Sequence, residues 1–433
     1  MDPILITVIG LSGMILLIGL HVPIGVALSV AGFVGYGLLE GFHPALTILE
    51  SAPTQTLSSA DLVIIPLFLA MGGLANSAGL SRDIYNLIYV LLGHRKGGLA
   101  LATIAGCAGF GAVCGSSPAT AVTMGRVALP EMLKRGYTPS LAAGSVAAGG
   151  TLGMLIPPSI VMVIYAFIAQ EFVIDLFTAA LIPAAIAVAF HFIAIMITVR
   201  LKPSVATVGE RSTWPERLAA LRQSWGVILL MGTVIGGLYS GIFTVHEAAA
   251  LGLALSFLFA LLRGRLNRQE LWMLLKETAG NTAMIYTIII GASIFSYFIT
   301  ATRIPQYFVE TMNALDVAPL VIILLLLVMY LILGAVFDTV SSMLITLPFV
   351  LPMVVSLGYD PIWWGVVLIM VTEIGMITPP IGMNVFIIHG VAPDISLRTI
   401  FRGILPFFYA DLLRVLVVVL FPALALWLPQ VLG

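Results

Sequence analysis

Two double prolines, Pro157-Pro158 and Pro379-Pro380, interrupt apolar runs of this chain, and each follows a Gly-Met pair, Gly153-Met154 and Gly375-Met376. Proline has no N–H to donate, so two in succession within a helix leave carbonyls one turn back without partners. Freed carbonyls and the hydroxyls of serine and threonine are hard oxygen ligands that suit a dehydrated alkali cation. Two further stretches, Gly115-Ser116-Ser117-Pro118-Ala119-Thr120 and Asp338-Thr339-Val340-Ser341-Ser342, supply such hydroxyls. The half-helix after each break points N–H groups and a positive dipole end into the same space, which favours an anion. If the four broken elements converge, they hold cations beside an anionic substrate, and sodium with a carboxylate is the natural pairing. An acid at membrane depth is costly and by default functional. Asp338 is therefore a candidate sodium ligand or ligand support, against the alternative of a tip residue wetted by solvent. Glycine and serine also serve close helix packing, and for any single residue that reading stays open.

The surrounding chain says where such elements must lie. Its 433 residues are 60% hydrophobic and 9% charged, with a mean hydropathy of +1.13. That balance excludes a soluble domain and predicts an all-α polytopic membrane protein. A span needs about 20 apolar residues, and the sequence predicts roughly ten to twelve segments, broken ones included. Broken backbone against lipid would leave polar groups unpaired, so the breaks must be buried in protein or line a cavity, as they do in secondary transporters. A formal net charge of −1 and the lack of a long basic run give no footing for nucleic acid. Cys107 and Cys114 match no zinc or redox spacing and read as small buried side chains. The opening MDPILITVIGLSGMILLIGL lacks a charged leader and reads as a retained first span.

The two broken regions are copies. The double prolines differ by 379 − 157 = 222 residues, and the same offset puts Leu129-Pro130 on Leu351-Pro352, Gly136-Tyr137 on Gly358-Tyr359 and Pro139 on Pro361. Of the 12 prolines before residue 212, four land on a proline 222 residues later. Chance gives roughly one, so the chain contains an internal repeat. The first repeat spans residues 1–205 and the second 223–433, joined by a linker at 206–222. In the first, a hairpin at about 99–135 precedes an interrupted helix at about 140–168. In the second, the hairpin is at about 319–357 and the interrupted helix at about 361–389. Arg95, Lys96, Lys134 and Arg135 flank the first hairpin, whereas Asp316 and Asp360 flank the second. By the positive-inside rule the hairpins re-enter from opposite faces. The repeats are thus inverted, with both termini periplasmic. Segments 81–93 and 303–315 are amphipathic and read as arm helices lying along the membrane faces, against the alternative of ordinary span ends.

Other titratable residues carry less. Asp61 and Glu247 read as structural hydrogen-bonding groups, while Glu373 is evenly balanced between structure and coupling. His21, His191, His246 and His389 are scattered near span ends, which disfavours a proton relay. Arg126 could screen an anion, or snorkel from a helix end. No Walker loop occurs, and no nucleophile has a base beside it, so the chain is not an enzyme.

The runs GFGAVCGSSPATAVTMGRVALPEMLKRGY, GGTLGMLIPPSIVMVIYA and IGMITPPIGMNVFIIHGVAPDISL resemble the large membrane subunit of tripartite ATP-independent periplasmic (TRAP) transporters, DctM-like, over nearly the whole chain. The resemblance implies an elevator-type transporter of the bacterial inner membrane, coupled to Na+ and needing no organic cofactor or transition metal. Its partners would be a small membrane subunit of four helices and a periplasmic substrate-binding protein. Because this chain begins with the large subunit's first span, the small subunit is expected as a separate chain. By the same resemblance sodium falls to Gly115, Ser116, Ser117, Gly153 and Pro157 on one side, and to Asp338, Thr339, Ser342, Gly375, Thr378 and Pro379 on the other. The substrate, an organic acid such as a dicarboxylate, keto acid or sialic or other sugar acid, would lie between them. It would meet Ser117, Ala119, Thr120, Pro158 and Ser159 from the first repeat and Ser341, Pro380, Gly382, Met383 and Asn384 from the second. A stand-alone divalent-anion/sodium symporter shares this logic without a binding protein.

Overall fold

The structure is a computed structural model that describes residues 3–314 and 317–432, and among them every regular element is helical. The first repeat opens with α1 (Pro3–Gly19), α2 (Ile24–Glu40), α3 (Phe42–Ser58) and α4 (Ile64–Ser77), followed by the arm α5 (Leu80–Leu92). The hairpin is α6 (Gly98–Cys114) and α7 (Ser117–Lys134), the interrupted helix is α8 (Pro139–Leu155) and α9 (Ile160–Ala169), and α10 (Val173–Leu201) closes the half. After α11 (Trp214–Gln223), the second repeat starts with α12 (Trp225–Met231), a π turn and α13 (Gly237–Tyr239), then α14 (Val245–Leu262), α15 (Arg268–Thr302) and the arm α16 (Ile304–Ala314). The second hairpin is α17 (Pro319–Val336) and α18 (Thr339–Ser356); α19 (Pro361–Gly375), α20 (Met383–Val391), α21 (Leu397–Leu420) and α22 (Ala423–Leu432) follow.

Shifting α7 by 222 residues gives 339–356, the bounds of α18, and both double prolines contain a cis bond. The packing is reciprocal in the way a two-fold repeat requires. Helix α2 packs on α15, while α14, the copy of α2, packs on α4; α8 packs on α21, while its copy α19 packs on α10. Small residues allow these approaches, as expected inside a membrane. A Cβ on Gly25 would lie 2.4 Å from the Thr287 carbonyl oxygen, and one on Gly144 2.4 Å from the Gly403 carbonyl carbon. Two bundles result, one of α1–α4 with α12–α15 and one of α6–α10 with α17–α22, and the arms α5 and α16 lie between them.

Several expected boundaries shift. Among the described residues seven helices are long and apolar enough to cross a membrane, or up to nine if each bent pair counts as one span. The expected ten to twelve are reached only with shorter apolar helices such as α2 and α19. Helices α3 and α4 are bent by 61° at Ser59–Ala60, whereas their copy α15 runs unbroken through 35 residues. The linker is half helical: Thr213 and Glu216 close a capping box around α11, with Pro215 in its first turn. Such a cap stabilises a helix by about 1 kcal/mol. The expected arm at 81–93 falls on α5, which buries Asp83 against Arg263 at 2.5 Å. Of the second arm's expected extent, Leu315 lies outside the described residues, as does Asp316.

Candidate functional site

Each hairpin tip abuts the helix break of its own repeat. At the first, α6 ends on Gly115, whose φ of 61° needs a residue without a Cβ. The Gly115 carbonyl accepts from the Ile160 N–H across the break at 3.4 Å. Thr120 Oγ1 donates to the Ser116 carbonyl at 2.7 Å, and a Cβ on Gly153 would lie 2.6 Å from that hydroxyl and 2.9 Å from that carbonyl. Pro158 joins the group, its carbonyl oxygen 2.9 Å from where a Cβ on Gly115 would stand. Pro157 and Pro158 have no N–H, so the Gly153 and Met154 carbonyls lose their helical donors. The structure thus gathers Gly115, Ser116, Thr120, Gly153, Pro157 and Pro158 into one buried, oxygen-lined contact. Ser159 is buried and caps α9, accepting from the Met162 N–H at 3.5 Å, and Ala119 is exposed.

The second contact has the same plan with different bonds. A Cβ on Gly375 would lie 2.5 Å from the Gly334 carbonyl carbon, and the Gly382 N–H donates to the Ala335 carbonyl at 3.2 Å. Here the carbonyls left by the prolines find donors: Gly375 accepts from the Thr378 N–H at 2.9 Å and Met376 from the Asn384 N–H at 3.0 Å. Thr378 Oγ1 is spent on the Ile374 carbonyl at 2.6 Å, and Thr339 Oγ1 reaches Met376 Sδ at 3.3 Å. Asp338 is half-buried and caps α18, accepting from the Ser341 N–H at 3.1 Å and from the Ser341 hydroxyl. Pro379 and Pro380 are exposed and Met383 is half-buried, whereas the first break is closed.

Asn384 ties the second break to the first repeat. Asn384, on α20, donates from Nδ2 to Ser117 Oγ at 2.8 Å and to the Ala147 carbonyl at 3.2 Å. Ser117 and Asn384 are fully buried, and two buried oxygens, Asn384 Oδ1 and Ser342 Oγ on α18, have no hydrogen-bond partner among the described residues. Buried polar atoms are nearly always satisfied, and an orphan costs about 1–3 kcal/mol. Buried oxygens of this kind are hard ligands of the sort an alkali cation takes.

Sequence reasoning missed the most buried charges. Asp411 and Arg414 on α21 join His191 on α10 and Glu373 on α19, all fully buried. His191 Nε2 lies 2.7 Å from Asp411 Oδ1, Arg414 Nε donates to Asp411 Oδ1 at 2.6 Å, and Arg414 Nη2 reaches Glu373 Oε2 at 3.2 Å. His191 is therefore not a span-end residue but a buried partner, and Glu373 is bound into an ion-pair network. The signal for it was the pair Asp411 and Arg414, one helical turn apart in an apolar helix. Glu247 is structural, closing a capping box with Thr244. Asp61 is exposed, 3.8 Å from His246 Nε2.

The two ends of the molecule differ in charge. A cleft of about 960 Å³ between α2, α3, α9 and α15 is lined by Glu40, Asp61 and Glu171 and by no lysine or arginine. Burial, and then the Asp360 and Asp175 carboxylates, push the Glu171 carboxyl above its ordinary range. At the opposite end lie Arg95, Lys96, Lys134 and Arg135 beside the hairpin α6–α7, with Arg263 and Arg265 after α14.

Comparison with known proteins shows the family. The family model described as "Tripartite ATP-independent periplasmic transporter, DctM component" matches residues 11–424. The C4-dicarboxylate TRAP transporter large permease protein DctM of Pseudomonas aeruginosa is 36% identical over 407 residues, covering 91% of this chain and 94% of that one. The sialic acid TRAP transporter large permease protein SiaM of Vibrio cholerae is 31% identical, covering 89% and 90%. The crystal structure of the Alcanivorax borkumensis YdaH transporter superposes with a TM-score of 0.62 over 91% of this chain and 90% of that one; at 16% identity this likeness is one of fold. These permeases are transporters, not enzymes. The chain belongs to the DctM component family of tripartite ATP-independent periplasmic transporters.

Proposed function

We propose that this subunit imports an organic acid by sodium symport across a bacterial inner membrane. The single observation that carries the reading is the Ser117–Asn384 bond at 2.8 Å, which places two oxygen-lined helix breaks from opposite repeats back to back. Sodium would bind where Ser116, Thr120 and Gly153 meet, and again where Asp338, Ser342 and Gly375 meet. The acid would lie between them, its carboxylate facing the amino-terminal ends of α7, α9, α18 and α20, where backbone N–H groups favour an anion. The α6–α10 and α17–α22 bundle would move as a body against α1–α4 and α12–α15, in an elevator motion, with the arms as its tethers. The acidic cleft would then face the periplasm and the arginine-rich end the cytoplasm, in keeping with the positive-inside rule.

The relatives point to the substrate class and the partners. A C4-dicarboxylate and sialic acid are both carboxylates, and tripartite transport implies a periplasmic binding protein and a small membrane subunit of four helices. The test is uptake of labelled succinate and sialic acid into proteoliposomes holding this chain and its small subunit. Each acid is offered with and without an inward sodium gradient and with and without the binding protein. Accumulation that needs both supports the proposal. Accumulation that ignores the binding protein would instead make the chain a stand-alone sodium symporter.

A further inference from the structure

A cavity of about 240 Å³ lies at the arginine-rich end, away from both helix breaks, and three arginines line it: Arg82 on α5, Arg126 on α7 and Arg265 in the α14–α15 turn. Asn76, Ser81 and Thr123 complete its polar wall, and among the described residues no acid lines it. Among the described residues none of the three guanidiniums has an ion-pair or hydrogen-bond partner. Asp83, next to Arg82 in the chain, is already committed: it is held by Arg263 at 2.5 Å and accepts from Gln223 at 3.2 Å. Arg263 itself also donates to the Ala78 carbonyl at 3.0 Å. The fold therefore uses one arginine of the α14–α15 turn to neutralise Asp83 and aims the other into the cavity. Gly79 makes room for it, since a Cβ there would lie 2.0 Å from Arg265 Nη1.

We propose that this cavity is a binding site for a compact oxyanion, a carboxylate or phosphate group held by Arg82, Arg126 and Arg265. Three like charges gathered without a counter-ion raise a local positive potential that an anion relieves. Guanidinium groups match the planar oxygens of carboxylate and phosphate through paired N–H donors. The volume falls below the usual range of about 300–1,000 Å³ for drug-sized ligands, so a small acid or a lipid headgroup fits. The three arginines come from the hairpin, the arm and the scaffold turn, so a bound anion ties the hairpin to the parts it would slide against. Arg126 follows Ser117 by 126 − 117 = 9 residues of α7, about 13 Å along a helix. An acid leaving the transport site would meet this cavity, and so would the phosphate of an anionic lipid.

Phenylglyoxal modification of arginine, followed residue by residue with peptide mass spectrometry, tests the site without relying on transport. The complex of this chain with its small subunit is placed in phosphatidylcholine nanodiscs, with or without succinate, and separately in phosphatidylglycerol nanodiscs without it. The expected result is a slowing of modification at Arg82, Arg126 and Arg265 together in at least one arm, by about fivefold when the anion is present at about four times its Kd. Arg222 and Arg268 should keep their rates. Protection by succinate identifies a soluble acid as the ligand, and protection by phosphatidylglycerol identifies a lipid headgroup. Arg126→Gln should abolish protection of Arg82 and Arg265, and Arg126→Lys should retain part of it, with both variants melting as the wild type does. No protection in either arm, or protection of Arg82 and Arg265 that survives Arg126→Gln, overturns the proposal. Loss of transport with protection intact would instead count against the transport reading alone.

Discussion

Adding one methyl group at Gly375 should separate the second hairpin from its helix break. The new Cβ would stand 2.5 Å from the Gly334 carbonyl carbon, 2.6 Å from Gly334 Cα and 2.8 Å from the Ala335 nitrogen. Carbon atoms rest about 3.5–4.0 Å apart, so a gap of about 1 Å must open. All three atoms are backbone, and no rotamer change can make room. Overpacking of this kind costs about 1–3 kcal/mol. Gly375 is the last residue of α19, so little of the alanine helix preference is recovered. Gly153→Ala meets Thr120 Oγ1 at 2.6 Å and the Ser116 carbonyl at 2.9 Å, a contact partly of side-chain atoms, and should cost less. Gly13→Ala is the control, with nothing within 4 Å. The assay is thermal melting beside the sodium concentration that half-saturates uptake. Gly375→Ala should lower the melting temperature and raise the half-saturating sodium at least about tenfold, equivalent to about 1.4 kcal/mol. Gly153→Ala should follow in the same direction, and Gly13→Ala should do neither. Wild-type sodium dependence in a Gly375→Ala protein that still transports would refute the reasoning.

Arg414→Met would strand the buried Asp411 and Glu373 carboxylates, and unpairing a buried charge network costs about 3–5 kcal/mol. A steep fall in melting temperature is expected, and replacing His191, Glu373, Asp411 and Arg414 together by apolar residues of similar volume should recover most of it. An unchanged melting temperature in Arg414→Met would contradict the buried network. Asp338→Asn keeps an amino-terminal cap on α18, because asparagine caps as well as aspartate does, so stability should change by less than about 1 kcal/mol. It removes the charge, so sodium activation of uptake should weaken by about tenfold or more. A loss of stability without a change in sodium activation would make Asp338 a cap and nothing further.

The hairpins and breaks were legible because proline and glycine mark them at one repeated offset, which local chemistry alone can carry. The fold class and the family followed from the same stretches. The linker helix was not read, although Thr213, Pro215 and Glu216 spell a capped helix start. The bend at Ser59–Ala60 was not, because its copy in α15 runs straight and no proline separates the two. Nor was the buried network, whose members His191 and Asp411 stand 220 residues apart and meet only when α10 packs on α21. Sequence named the hairpin tips and helix breaks that the structure brings into contact, but could not assign individual bonds. Asp338 proves to cap its own helix, Thr378 turns back to Ile374, Ser159 caps α9 and Ala119 faces outward. Those choices depend on rotamers and neighbours from the other repeat, and no spacing rule records them.

The most direct test of the central claim is simultaneous flux of radioactive sodium and labelled acid in proteoliposomes containing this chain, its small subunit and the binding protein. Under sodium symport, adding acid drives sodium inward with it, in a fixed ratio, and both fluxes fall together in Gly375→Ala. Accumulation of acid at zero sodium gradient, or without accompanying sodium, would contradict it.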